Sequence, residues 1–192
     1  MEALTHLSYD EHAFIELTSP VVDDHQWELI DGIPLRRPAR SIRHQMIAQN
    51  AERQLNTCSA SKPDHIGALF ATGLRHPNDT RFRPIADVAI VDLNEVIENG
   101  NDYYFDRCFL ALEVISSDSL DLDEQIKLPR YRELPLCNHI IAADSEYFRV
   151  RHWARSRGWA ETAYDRPDDL ITLPEFGFSC RLKDLYARTD LA

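Results

Sequence analysis

One carboxylate inside an apolar run constrains this chain more than any other feature. Residues 109–131 read FLALEVISSDSLDLDEQIKLPRY. The run Phe109-Leu110-Ala111-Leu112, resumed by Val114-Ile115 and closed by Ser and Asp, predicts a buried strand. Strand alternation puts Glu113 on one face with Phe109, Ala111 and Ile115. An ionised carboxylate there needs a cation, a metal or several hydrogen bonds. After a polar turn at residues 116–119 a helical pattern begins, and it carries Lys127 in its second or third turn.

The preceding apolar segment repeats the device. Arg83-Pro84-Ile85-Ala86-Asp87-Val88-Ala89-Ile90-Val91 predicts a strand covered on both faces, with Asp87 as its lone acid. The two strands are nearly consecutive, joined by a polar connection over residues 92–107, and consecutive strands usually neighbour one another. Two carboxylates would then meet in a low-dielectric place, where like charges raise one pKa unless a cation intervenes. Two oxygen ligands plus waters suit Mg²⁺ or Mn²⁺. Such an ion activates water and stabilises a pentavalent phosphate, and Lys127 could position the attacking water. Each acid taken alone also fits a structural role.

The rest of the chain supplies a frame for this pair. Residues 9–17, YDEHAFIEL, predict a short helix with Phe14 and Leu17 inward. Residues 25–30 alternate towards Asp31-Gly32 and Ile33-Pro34-Leu35, a hairpin signature with an edge strand. Arg36, Arg37, Arg40 and Arg43 fall within eight residues, as a solvated basic loop or as a phosphate-contacting patch. Ser41 is placed to cap a helix that runs to about Cys58. His44 lies on that helix's inward face, either as a core histidine or at the edge of an active site. Strands are predicted over residues 66–74 and 137–143, and a second hairpin turns at Ser156-Arg157-Gly158. A short strand at 170–173 and a closing helix at 182–186 complete the pattern. Pro129 either kinks the Lys127 helix or starts a new turn. No repeat or linker interrupts residues 1–192, which are read as one domain.

Composition excludes several classes. No apolar run reaches the ~20 residues of a membrane span, and the N-terminus lacks a basic start and an apolar centre. Cys58, Cys108, Cys137 and Cys180 form no CxxC pair, which argues against structural zinc and for reduced thiols in a cytoplasm. A net charge of -11 argues against nucleic-acid binding by bulk electrostatics, but not against a local grip on a phosphodiester through a metal. Lys62, Lys127 and Lys183 are the only lysines in a chain that otherwise uses Arg.

Several segments together resemble the Uma-two family, assigned to the PD-(D/E)XK nuclease superfamily and described as restriction endonuclease. Trp27-Glu28-Leu29-Ile30-Asp31-Gly32 is similar to its YELIDG hairpin, and Arg43-His44 to its RH helix start. Residues 83–88 resemble its RPDV strand, and Leu112-Glu113-Val114-Ile115-Ser116 its EVxS strand. Asp121, Lys127 and Tyr131 resemble its D…K…Y helix; residues 134–144 resemble its VPEYWIVD strand, and residues 173–177 its closing LPG-like segment. The order and spacing of these pieces are specific where no single piece is. Departures are Ala86 before Asp87 in place of proline, Ile115 where the superfamily's usual lysine would sit, and Asn138-His139 in place of an aromatic pair.

The resemblance implies a restriction-endonuclease-like α/β (α+β) core, with a central mixed sheet flanked by helices and a hairpin towards each terminus. It implies Asp87 and Glu113 as metal ligands, Glu28 as a third carboxylate at the site and Lys127 as a catalytic lysine supplied from the helix. His44, Arg36, Arg37, Arg40 and Arg43 would then touch phosphate. The expected activity is Mg²⁺-dependent hydrolysis of DNA, possible as a homodimer because cutting two strands needs two sites. The alternative is a nuclease fold without catalysis that binds a protein or nucleic-acid partner, which the acidic balance favours.

Overall fold

The computed structural model describes residues 8–19, 26–37, 39–57, 62–117 and 122–192. Helix α1 (Glu11–Thr18) starts at Asp10, whose carboxylate accepts from the Ala13 N–H at 2.9 Å. Phe14 faces the core as expected, but Leu17 is 44% exposed, because so short a helix buries only a narrow stripe. The hairpin β1 (Trp27–Ile30) and β2 (Ile33–Arg36) turns at Asp31-Gly32, where both residues have positive φ. A Cβ on Gly32 would lie 2.1 Å from the Ser8 hydroxyl, so glycine is required there by space as well as by φ. Helix α2 (Ile42–Thr57) is capped by Ser41, whose hydroxyl accepts from the His44 N–H at 3.1 Å. Cys58, its expected last residue, lies outside the described residues.

The central sheet contains β3 (Ile66–Gly73), β4 (Ile85–Asp92), β5 (Cys108–Ile115), β6 (His139–Asp144), β7 (Val150–Ala154) and β8 (Glu161–Tyr164), in that order. Only β5 and β6 run parallel; the other pairs are antiparallel. A parallel pair needs a crossover, and here the crossover carries the Lys127 helix. The polar connection after β4 holds a short helix, α3 (Asn94–Asn99), fixed by Glu95 accepting from the Asp106 and Arg107 amides. A last hairpin, β9 (Leu170–Leu173) and β10 (Phe178–Arg181), precedes α5 (Leu182–Leu185). No simple periodicity signals α3 or β10, since their polar neighbours dilute the pattern.

Two apolar layers cover the sheet. α2, the β9–β10 hairpin and α5 pack on Val88, Ile90, Leu112 and Ile141. The other face gathers Ala89, Ala111, Ile115, Leu128 and Tyr131. Pairing of β4 with β5 slips between Ile90 and Val91, so Phe109 packs on the α2 side rather than beside Ala111. The free edge at β3 is closed from α2, where the Asn56 side chain donates to Ala68 O at 2.9 Å and accepts from Ala68 N at 3.0 Å. Cys108, Cys137 and Cys180 are buried. Among the described residues no helix is long and apolar enough to cross a membrane.

The helix after β5 resolves the question posed by Pro129. Asp123–Lys127 forms a wide π-turn that runs into α4 (Leu128–Tyr131). Proline has no N–H, and its ring clashes with the carbonyl four residues back. Widening the turn before Pro129 relieves both, and the Leu128 N–H bonds back to Asp123 O. The helix is therefore widened, neither broken nor restarted.

A polar chain built on two buried histidines ties the last hairpin to the sheet. His139 Nδ1 lies 3.0 Å from His152 Nε2, and His139 Nε2 lies 3.0 Å from Glu175, in the turn between β9 and β10. Arg157 donates to His152 Nδ1 at 3.2 Å. Burial, then the charge of His139 and Arg157, push the His152 pKa down to about 3, and burial lowers that of His139. The unfolded chain titrates these imidazoles near 6.5, so below that pH protons bind the unfolded state preferentially. The urea midpoint should fall as pH drops from 6.5 towards 4, and the double variant His139→Leu/His152→Leu should show a flatter pH dependence over that range.

Candidate active site

Asp87 and Glu113 lie on the same face of adjacent strands, at the end of β5 where the crossover begins. The Val114 N–H donates to Asp87 Oδ2 at 2.8 Å, which ties the two acid-bearing strands together. β3 leaves the ladder at Ala71, which has a φ of 50°, and rejoins it at Thr72, opposite Ala86. A left-handed non-glycine residue costs on the order of 1 kcal/mol or more. That strain sits one strand away from Asp87.

Lys127 is the hub. Its side chain is only 1% exposed, and its Nζ lies 2.7 Å from Glu113 Oε1, 3.0 Å from Glu28 Oε1 and 3.4 Å from Asp123 Oδ1. It also donates to Ile85 O at 3.1 Å. Three N–H donors thus face four acceptors. Burial alone would lower the ammonium's pKa, but the charges of Glu113, Glu28 and Asp123 outweigh it and hold the pKa above the usual lysine range. Glu28 is held from the other side as well, since its Oε1 accepts from Ile85 N at 2.7 Å. The hairpin thus delivers Glu28 to the same ammonium that the helix delivers.

Glu113 and Asp87 differ in environment. Glu113 Oε1 accepts from Lys127 and from the Tyr131 hydroxyl at 2.6 Å. Burial, reinforced by Asp87 and Asp123, lifts the Glu113 pKa well above the usual carboxylate range despite Lys127. Asp87 Oδ1 lies 2.8 Å from Arg37 Nη2 and 2.6 Å from Arg40 Nη1, and its Oδ2 lies 3.2 Å from His44 Nε2. Burial pushes the Asp87 pKa up, but the His44 hydrogen bond and the charges of His44, Arg37 and Lys127 bring it below its ordinary value. Paired acids whose pKa values are pushed apart fit acid–base work at one site.

The sequence-predicted residues divide clearly. Asp87, Glu113, Glu28, Lys127, His44, Arg37 and Arg40 come together. Arg43 lines the same cleft but is forked onto Asp190, at 2.7 and 2.5 Å. Arg36 is exposed and does not line the cleft, because strand alternation turns it away from Arg37. Asp121 falls outside the described residues. Asp123 was not singled out by sequence. Its four-residue spacing from Lys127 was the available signal. The cleft has a volume of about 280 Å³, with Arg37, Arg40, Arg43 and His44 on one wall and Asp123 and Lys127 on the other.

The donor set fits a divalent cation on one observation above all. Glu113 Oε2 is buried without a hydrogen-bond partner. Such an oxygen costs about 1–3 kcal/mol unless something positive or a water satisfies it. Among the described residues no group of three His, Cys, Asp or Glu side chains is placed to hold a metal ion, since the three acids that converge meet on Lys127, so any such ion would rely on Asp87, Glu113 and waters. That is how Mg²⁺ is commonly bound.

A central mixed sheet with flanking helices and a carboxylate–lysine cluster at a strand end defines a restriction-endonuclease-like protein. The chain belongs to the Uma2 family, whose description is "Putative restriction endonuclease" and whose model matches residues 13–183. A similar fold is found in a crystal structure of a "putative nuclease belonging to DUF820" from Anabaena variabilis ATCC 29413, with a TM-score of 0.71, 16% identity, and coverage of 93% of this chain and 97% of that one. No curated protein matches the sequence.

Replacing Lys127 with Met leaves buried carboxylates without their shared cation. We expect a loss of about 3–5 kcal/mol in urea unfolding, against about 1 kcal/mol for Tyr131→Phe, which removes one hydrogen bond.

Proposed function

We propose that the chain is a metal-dependent endonuclease that hydrolyses DNA phosphodiester bonds through a metal-activated water. The observation that carries this reading is Glu113 Oε2, a buried partnerless carboxylate oxygen beside Lys127, which itself lines a cleft together with Arg37, Arg40 and His44. Asp87 and Glu113 would hold Mg²⁺ or Mn²⁺. When bound, the ion supplies Lewis-acid activation of water and neutralises charge at the phosphate.

The remaining steps belong to side chains. Lys127 stays an ammonium at neutral pH with its N–H groups shared among Glu113, Glu28, Asp123 and Ile85 O, so it would act by balancing charge beside Glu113 and not as a base. Glu28 and Asp123 fix its position. Arg37, Arg40 and His44 present donors from one wall to a phosphate entering the cleft. A net charge of -11 confines that attraction to the cleft, which suits a substrate gripped locally. A second reading rests on Asp87, whose two oxygens already face two arginines, a histidine and a backbone N–H. Saturation of that kind suits a nuclease fold that binds a partner without cutting.

Mn²⁺ calorimetry and nicking of supercoiled DNA separate the two. We expect the wild type to bind Mn²⁺ and to nick, and Asp87→Asn and Glu113→Gln to lose both. Lys127→Met should lose on the order of 10²–10³ in rate wherever it remains folded. A wild type that neither binds Mn²⁺ nor nicks, with the two acid variants at least as stable as wild type, would leave the binding-module reading.

A further inference from the structure

Two arginines share one oxygen of Asp87, yet they are held very differently. Arg37 is fixed: its side chain is 5% exposed, its backbone N–H donates to Gln26 O at 2.9 Å, and its guanidinium also reaches Gln26 Oε1 at 3.4 Å and Glu28 Oε2 at 3.7 Å. Arg40 stands at the cleft wall with its side chain 20% exposed; among the described residues Asp87 is the carboxylate that it meets, and its Nη1 also touches His44 Nε2. Its backbone is pinned, since Arg40 O accepts from Gln45 Nε2 at 3.0 Å. The guanidinium can therefore leave Asp87 by side-chain rotation alone, with the chain around it unmoved.

Charge counting gives that rotation a purpose. Counted as ionised, the four carboxyl groups of the cluster, Glu28, Asp87, Glu113 and Asp123, lie opposite three permanent cations, Lys127, Arg37 and Arg40, with His44 against Asp87. A dication added to this set would leave an excess of positive charge in a buried place. With Arg40 withdrawn, Lys127, Arg37 and a dication balance four carboxylates. Buried charge is tolerated when it is paired and resisted when it is not. Arg40 and a divalent ion are thus competitors for Asp87.

We propose that Arg40 is an exchangeable internal counter-cation: it holds Asp87 in the metal-free protein, and a divalent ion bound at Asp87 and Glu113 releases its guanidinium into the cleft to take a substrate phosphate. This rests on the metal-dependent reading above. It gives one residue two successive partners, a carboxylate first and a phosphate second, both of which suit the guanidinium fork. It also couples metal occupancy to substrate affinity, because the donor that grips phosphate is freed only when the ion is in place.

The test is Mn²⁺ calorimetry on the full chain, comparing the wild type, Arg40→Gln and Arg43→Gln. Removing a competitor raises apparent affinity by the inverse of the fraction of time that the site was free of it, so if Arg40 held Asp87 about nine-tenths of the time Arg40→Gln should bind Mn²⁺ about tenfold more tightly. Arg43 lines the same cleft but is paired with Asp190, so Arg43→Gln should leave Mn²⁺ affinity within about twofold, given the screening of an exposed pair. In the presence of Ca²⁺, binding of a short DNA duplex should weaken in Arg40→Gln. Equal or weaker Mn²⁺ binding by Arg40→Gln, or an equal gain in Arg43→Gln, overturns the exchange while leaving metal binding intact. Mn²⁺ binding absent from the wild type but present in Arg40→Gln supports it. No binding by any of the three overturns the metal-dependent reading and the exchange together.

Discussion

The structure depends on one buried ammonium. Lys127 reaches Glu28, Glu113, Asp123 and a backbone carbonyl of β4 from a single helical turn. It thereby joins the N-terminal hairpin, two central strands and the crossover helix. Each acid alone would be costly in this environment, and so would the lysine. Together they form a network in which every member is justified by the others, the condition under which buried polar groups survive. Such a network favours a unique arrangement more than it adds stability, since apolar replacements of equal volume often serve stability as well.

The same cluster sets the direction of any chemistry. Asp87 and Glu113 are drawn apart in pKa by what surrounds them, Asp87 by His44, Arg37 and Lys127 and Glu113 by burial. The cleft's basic wall comes from the start of α2 and the residues just before it, its acidic wall from the π-turn. The polar chain of His139, His152 and Glu175 lies on the opposite face of the sheet and belongs to the docking of the last hairpin.

Local chemistry dictated much of this. The Asp31-Gly32 turn, the Ser41 cap and the apolar strands bearing Asp87 and Glu113 follow from turn geometry, capping and alternation, each readable within a few residues. The two acids could be named from sequence because a lone carboxylate in an apolar run demands an explanation. That they would meet, with Lys127 nearby, followed from the near-consecutive strands and the helix after them; the place of the hairpin acid Glu28 at the same cluster was legible only as a resemblance spread over most of the chain. Phe109 and Leu17 were assigned to the wrong surroundings, because a slip in strand pairing and the narrow stripe of a short helix are tertiary facts.

By itself, the sequence determined the elements, the buried acids and the family to which the chain belongs. Tertiary structure decided which charges meet. Pro129 widens the turn that presents Asp123 and Lys127, a result of backbone sterics and packing that no propensity states in advance. Arg36, Arg37, Arg40 and Arg43 look alike in sequence, yet one is exposed, one is buried between Glu28 and Asp87, one meets Asp87 from the cleft wall and one is forked onto Asp190. The reason is physical: residue type sets what a side chain can pair with, and only the fold sets which partner is within reach.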